Sequence, residues 1–301
     1  MIETRRTAYR AGLVGAGIGN SLSPALHEHE AAALGVPGTY ELLDLDAMSR
    51  DPADVGELLS ETRAAGWHGL NITHPCKQLV MPHLDVLAPD AAAIGAVNTV
   101  VFGPQGTSGH NTDWGGFARG LQTGLPGGLA EDDLADVVLL GAGGAGAAVG
   151  HALLSLGART LHVVDAQTDR AAHLAGALAA RFPGRTVDHA GTGELPRLVP
   201  VASGLTHATP VGMTGHPGLP LPAGLLHPGL WVADIVYHPL ETALLAAARA
   251  LGCRTLNGGR MLVFQAAEAI ALFTGRTPDA DRMLAHFHRL IGQNEAGRDV
   301  A

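Results

Sequence analysis

Gly141, Gly143 and Gly146 stand in the spacing G-x-G-x-x-G, directly after the apolar run Val137–Leu140 and before an Ala-rich stretch. Gly144 and Ala145 fill the positions between the last two. The chemistry such a loop performs is anion binding. The first glycine permits a tight turn, the second admits a close-lying pyrophosphate, and the third lets helix and strand pack together. The helix N-terminus then presents oriented N–H groups to the anion. Asp165 ends the next apolar run, LHVVD, 24 residues after Gly141. A carboxylate there accepts hydrogen bonds from adenosine ribose hydroxyls and repels a 2′-phosphate. The unit 137–165 is therefore predicted to bind a dinucleotide, NAD in preference to NADP. Arg170, five residues further on, is the residue that would argue for the 2′-phosphate instead. GAGIGN (15–20) imitates the motif, but Asn20 takes its sixth position and the next helix starts only at Ser23, so it reads as a substrate loop.

Other polar groups cluster in four short segments: NSLSP (20–24), NITHPCK (71–77), GAVNT (95–99) and GHNTD (109–113). Each falls where an apolar strand gives way to a loop or helix, which is where open α/β sheets bind ligands. A purely structural account competes with this. Ser21 and Ser23 could be turn and cap residues, and Asp113 could cap a helix over 114–122. Gln265 on an Ala-rich helix needs no function of its own. Lys77 is the only lysine in the chain. The 16 histidines raise a metal reading. His27 and His29 are two apart on a helix and cannot share a face, and no H-E-x-x-H or paired C-x-x-C occurs, so no metal is expected. His74 and His238 lie near these segments, with no role assigned.

The elements that must position these groups alternate along the chain. Strands are predicted at 9–17, 39–46, 67–73 and 98–102, and helices at 23–35, 52–65 and from Pro75 onward. Ser23 is the expected N-cap, Pro24 the first helical residue and Gly35 the stop. A second series has strands at 136–140, 161–165, 204–209 and 230–236. Its helices fall at 145–156, 168–181, 240–251 and 259–274, with Gly275 just past the last. This βα order predicts an α/β protein with mostly parallel sheets. The expected division is an N-terminal α/β substrate domain (1–113), a doubly wound Rossmann-type domain (114–255) and C-terminal helices (256–301) that return to the first.

A net charge of −9 without a Lys/Arg cluster argues against nucleic-acid partners. No apolar run approaches the ~20 residues that span a bilayer, and the opening MIETRRTAYR does not read as a secretory signal. Cys76 and Cys253 make no disulfide framework and read as reduced thiols of a cytoplasmic protein.

At this point the sequence resembles the shikimate dehydrogenase family, including its quinate/shikimate dehydrogenases, over nearly the whole chain. The resemblance is carried by Ser21-Leu22-Ser23-Pro24, Asn71-Ile72-Thr73-His74-Pro75-Cys76-Lys77, the run 94–99 (IGAVNT) and 109–113 (GHNTD). Downstream it continues in Ala208-Thr209-Pro210-Val211-Gly212-Met213, beside the nicotinamide in the family, and in the run 257–266 (NGGRMLVFQA) of the final substrate-contacting helix. The resemblance implies that Ser21 and Ser23 hold the substrate carboxylate. Thr73, Asn98 and Gln265 would bind ring hydroxyls, with Asn71 and Tyr237 nearby. Lys77 and Asp113 would form the catalytic pair. Thr209, Pro210, Val211, Met213 and Gly258 would join Gly141, Gly143, Gly144, Ala145, Gly146, Asp165 and Arg170 around the cofactor.

The chemistry agrees with those roles. Oxidising a secondary alcohol removes the hydroxyl proton as hydride leaves carbon; a lysine can take that proton, and a nearby carboxylate can orient the lysine and relay it. Biosynthetic members of the family usually carry an Asn-Arg-Thr-type basic patch after the second Rossmann strand, whereas this chain has Val164-Asp165-Ala166-Gln167-Thr168. The expectation is NAD-dependent oxidation of quinate and/or shikimate, cyclic carboxylic acids, by a monomer or homodimer. The alternatives are an NADP-dependent biosynthetic shikimate dehydrogenase and a non-catalytic NAD-binding sensor of the same fold.

Overall fold

The computed structural model describes residues 9–298, and the side chains of residues 9–292. Most of the segment judged not to be a secretory signal, residues 1–8, lies outside that range. Contacts divide the chain into two compact units: residues up to Thr112 with those from Val263 onward, and Asp113–Leu262.

The first unit runs β1 (Tyr9–Gly15), α1 (Ser23–Ala33), β2 (Gly38–Asp44), α2 (Leu45–Met48), α3 (Val55–Ala64), β3 (Gly69–Ile72), α4 (Cys76–Leu79), β4 (Val86–Leu87), α5 (Pro89–Ile94), β5 (Thr99–Gly103) and β6 (Gly106–His110). Its six strands are ordered β2-β1-β3-β5-β6-β4. β1 is parallel to β2 and β3, but β5 is antiparallel to both β3 and β6. This departs from the expected parallel pattern for a local reason. Gly103 pairs with Gly106, so only Pro104 and Gln105 join the strands, and so short a link can return the chain only as a hairpin. β6 reads GTSGH, too polar and glycine-rich to announce a strand.

Two helices also differ from expectation. α1 begins one residue early, with Leu22 as its N-cap, so the Ser23 hydroxyl does not cap it. The helix expected from Pro75 closes after one turn, because a 3-10 turn at Met81–His83 containing Pro82 interrupts it.

The second unit runs α6 (Asp113–Gly124), β7 (Asp136–Leu140), α7 (Gly144–Leu156), β8 (Thr160–Asp165), α8 (Thr168–Arg181), β9 (Thr186–Gly191), α9 (Leu195–Leu198), β10 (Gly204–His207), β11 (Trp231–Asp234), α10 (Ala243–Ala250) and β12 (Arg254–Leu256). All five strand pairings are parallel and the order is β9-β8-β7-β10-β11-β12. This is the doubly wound 3-2-1-4-5-6 arrangement, whose winding reverses between its first and fourth strands. β10 and β11 are buried along their whole length, which is why they read as apolar runs. Edge strand β9 is half-exposed and polar, and β12 has three residues, so neither signals itself in the sequence.

α11 (Gly259–Thr274) and α12 (Ala280–Arg298) close the chain. Ala269 and Phe273 join Tyr9, Ala11, Leu13 and Tyr40 in a core cluster of the first unit. On α1, Glu30 is fully buried and accepts from both Arg282 Nε (2.9 Å) and Nη2 (2.6 Å) on α12. Among the described residues no helix is long and apolar enough to cross a membrane.

Candidate active site

The registers of the first sheet bring its polar segments to one edge. β1 and β3 run parallel and end at Gly15 and Ile72. β5, running the other way, begins there with Thr99 opposite Asn71, and His110 at the end of β6 lies opposite Thr99. NSLSP, NITHPCK, GAVNT and GHNTD therefore meet at the carboxyl ends of β1, β3 and β6 and the amino end of β5.

A buried hydrogen-bond network fixes the amides at this edge. Asn71 Nδ2 donates to Thr99 Oγ1 (2.9 Å), and Thr99 Oγ1 donates to Asn98 Oδ1 (3.0 Å). Asn98 Nδ2 donates to Thr112 Oγ1 (2.9 Å), while the Thr112 N–H donates back to Asn98 Oδ1 (2.7 Å). Asn71 and Asn98 are 5% and 3% exposed, so such pairing is required of them. One member of the network lies outside the four polar segments. Tyr40 on β2 donates its hydroxyl to Asn71 Oδ1 at 2.8 Å. The Tyr40 ring lies against His27, with centroids 4.1 Å apart. Burial pushes the His27 pKa down to about 3, and its Nδ1 is hydrogen-bonded to the Tyr9 hydroxyl at 2.9 Å. In the sequence Tyr40 is an ordinary strand aromatic, and nothing local distinguishes it.

Ser21 and Ser23 share a hydrogen bond between their hydroxyls (3.1 Å), and Ser21 Oγ accepts the Ser23 N–H. Thr73 is half-buried, with its N–H on the Val14 carbonyl. Lys77 is half-buried on α4, and its carbonyl accepts the Val97 N–H (2.9 Å), which fastens that turn beside Asn98. Gln265 is half-buried on α11, two turns before Phe273, whose ring lies beside Tyr9.

Asp113 and Tyr237 belong to the second unit. Asp113 is buried as the first residue of α6, and Tyr237 is half-buried just past β11. Six of the expected substrate and catalytic positions thus share one sheet edge: Ser21, Ser23, Asn71, Thr73, Lys77 and Asn98.

The cofactor positions gather at the carboxyl edge of the second sheet, around its reversal between β7 and β10. Gly141 has φ +115°, and a Cβ on it would come within 2.6 Å of the Ala208 carbonyl oxygen. A Cβ on Gly146 would overlap the Gly141 carbonyl. Gly143 is the N-cap of α7, where a Cβ would meet only the Arg170 Nη2, 3.3 Å away. The loop therefore needs glycine for its turn and packing, and its middle is open to an approaching anion. Asp165 accepts the Ala142 N–H at 2.8 Å and the Gln167 N–H at 2.9 Å. A carboxylate offers about four lone-pair positions, so acceptor capacity is left for ribose hydroxyls. These residues fit a dinucleotide. Across the reversal, the Thr209 hydroxyl accepts the Val211 N–H (3.3 Å), and the Met213 N–H bonds the Pro210 carbonyl (3.1 Å). Gly258 packs so tightly that a Cβ would overlap the Ile235 carbonyl.

A doubly wound sheet carrying this loop, in a chain whose other sheet presents an amide- and hydroxyl-lined edge, defines an α/β protein of the dinucleotide-dependent oxidoreductase class. Comparison with known proteins narrows that class. Residues 13–100 match the model of the shikimate dehydrogenase substrate binding domain, and residues 258–286 that of the shikimate 5'-dehydrogenase C-terminal domain. The chain is 58% identical over 285 residues to a shikimate dehydrogenase (NADP(+)) of Streptomyces avermitilis, covering 95% of this chain and 97% of that one. It is 46% identical over 277 residues to a quinate/shikimate dehydrogenase (NAD(+)) of Corynebacterium efficiens, covering 92% and 96%. Among solved structures, quinate dehydrogenase from Corynebacterium glutamicum in complex with NAD superposes with a TM-score of 0.85 at 42% identity, covering 94% of this chain and 99% of that one. The chain belongs to the shikimate dehydrogenase family.

Proposed function

We propose that this protein oxidises the ring alcohol of quinate and/or shikimate to the 3-dehydro acid, using NAD as hydride acceptor. The observation that carries this reading is the gathering of Ser21, Ser23, Asn71, Thr73, Lys77 and Asn98 at one edge of the first sheet. The first unit would take the acid, with the two serine hydroxyls on its carboxylate and Thr73, Asn98 and Gln265 on its hydroxyls. Lys77 Nζ accepts the proton of the reacting hydroxyl, and the Asp113 carboxylate orients the amine and carries the proton onward. Hydride leaves the same carbon, the C–O bond becomes a carbonyl, and one proton and one hydride balance the step. The nicotinamide supplies the hydride acceptor when bound, and the glycine loop and Asp165 hold its adenosine and pyrophosphate end.

NAD is favoured by Asp165, whose carboxylate stands at the end of β8 with acceptor capacity to spare. The relative at 58% identity bears an NADP name, and Arg170 Nη2 lies near Gly143, a position that favours an NADP reading. Steady-state kinetics of shikimate and quinate with NAD and NADP, in all four pairings, decides between them. NADH formation exceeding NADPH formation with either acid is the expected result, and a preference for NADP would overturn the cofactor choice. Nucleotide binding without turnover of either acid would favour a sensor.

Asp165→Asn keeps an acceptor for Ala142 but removes the charge that opposes a 2′-phosphate. Like-charge contacts cost several kcal/mol, and 1.4 kcal/mol is a factor of ten. The ratio of kcat/KM for NAD over NADP is expected to fall by about tenfold or more; an unchanged ratio removes Asp165 from cofactor selection.

Tyr40→Phe leaves the Asn71 carbonyl without its hydroxyl donor inside a buried network, an omission costing about 1–3 kcal/mol. Expected is a rise in KM for the acid of about tenfold with little change in KM for the dinucleotide. Equal changes in both would mean that Tyr40 does not act through Asn71.

A further inference from the structure

The second unit holds a buried chain of polar side chains that the reaction as described leaves unused. His207 ends β10 and Asp234 ends β11, and the two are register partners. Both side chains are fully buried, and His207 Nδ1 lies 2.9 Å from Asp234 Oδ1. Asp234 is itself held in place. Its Oδ2 accepts the Thr242 hydroxyl at 2.7 Å, and its Oδ1 accepts the Val236 N–H at 3.0 Å. On the other side of the ring, His207 Nε2 is hydrogen-bonded to the Thr209 hydroxyl, the same oxygen that accepts the Val211 N–H. Whichever ring nitrogen carries the proton, the Thr209 oxygen meets both His207 Nε2 and the Val211 N–H. The Thr209 oxygen is then fixed as the acceptor that closes the turn 209–211.

That turn stands at the reversal of the sheet. Ala208 donates its N–H to the Leu140 carbonyl (2.7 Å), and the Thr209 methyl would lie 3.0 Å from a Cβ on Gly141. In the strand order, β8 with Asp165 lies on one side of β7 and β10 on the other. A dinucleotide whose adenosine ribose meets Asp165 and whose pyrophosphate meets α7 must therefore lay its other half over the β10 turn.

We propose that Asp234 and His207 are positioning residues for the nicotinamide half of the cofactor, acting through Thr209 and the turn it closes. This rests on the dinucleotide-binding reading but not on the identity of the acid. The two halves of the cofactor give a test independent of catalysis. Binding of NAD and of ADP-ribose, which lacks the nicotinamide, is measured by calorimetry for the unaltered protein, His207→Ala, Thr209→Val and the double variant, with thermal unfolding in parallel.

Loss of one buried hydrogen bond predicts a Kd for NAD about tenfold weaker in each single variant. ADP-ribose affinity is expected to stay within about twofold. The double variant should be no weaker for NAD than either single one, since both break the same chain, and Thr209→Ser should restore binding. Equal losses for NAD and ADP-ribose, additive effects in the double variant, or a Thr209→Val protein that binds NAD normally would each overturn the proposal. Thr209→Val preserves shape, so the test survives if His207→Ala fails to fold. A protein that binds NAD with the expected pattern yet oxidises neither quinate nor shikimate would refute the substrate reading alone. Failure of the unaltered protein to bind either nucleotide would overturn both.

Discussion

Replacing Lys77 with Ala is expected to lower kcat by about 10² to 10⁴-fold, the range that a positioned proton-transfer group contributes. The size follows from the reaction. Hydride cannot leave the carbinol carbon until its hydroxyl begins to lose a proton, and water is a poor substitute for a fixed base. The side chain is the chain's single lysine amine, so no neighbouring lysine can take over. Its backbone contribution survives the change, because the bond that fastens α4 to the Asn98 loop comes from the Lys77 carbonyl and the Val97 N–H. Dinucleotide affinity should be little altered, and single-turnover NADH absorbance should show the defect in the chemical step. Near-normal turnover would remove Lys77 from the mechanism. Lys77→Arg should not rescue, since a guanidinium stays protonated and cannot serve as the base.

The second large effect is on stability. Arg282→Ala is expected to destabilise the protein by about 3 kcal/mol, the scale set by breaking a buried ion pair from one side. Glu30 is fully buried and receives both arginine bonds; without Arg282 it keeps, among the described residues, the Asp279 N–H at 2.8 Å. The Arg282 side chain is 36% exposed, so the loss falls at the lower end of the range for fully enclosed pairs. Arg282→Lys should recover part of it, because an ammonium supplies charge but not the paired geometry. Urea unfolding followed by circular dichroism measures this directly. A loss below about 0.5 kcal/mol would show that Glu30 is stabilised by other means.

Both predictions begin with residues that the sequence treats very differently. Lys77 was legible because its neighbours are close in the chain: Asn71, Thr73 and Pro75 surround it in one contiguous segment. The glycine loop was legible for the same reason. Strand, turn and helix follow one another, and the first and last glycines answer a local steric demand that the structure shows at Gly141 and Gly146. Asp165 also follows from spacing, since a βαβ unit fixes where the second strand ends.

Arg282 and Glu30 lie 252 positions apart. Tyr40 and Asn71 are separated by 31 positions, and His207 and Asp234 by 27. No periodicity marks such partners, because they become neighbours only when strands are laid side by side in a particular order. That order also escaped local reading. The hairpin of β5 and β6 turns part of the first sheet antiparallel, and the polar edge strand β9 carries no apolar run. Spacing along the chain marks the candidate chemistry: the glycine loop, the carboxylate after it and the polar segments around Lys77. The tertiary structure decided which buried partners hold those groups, since hydrogen bonds between distant residues depend on strand order and register rather than on any pattern along the chain.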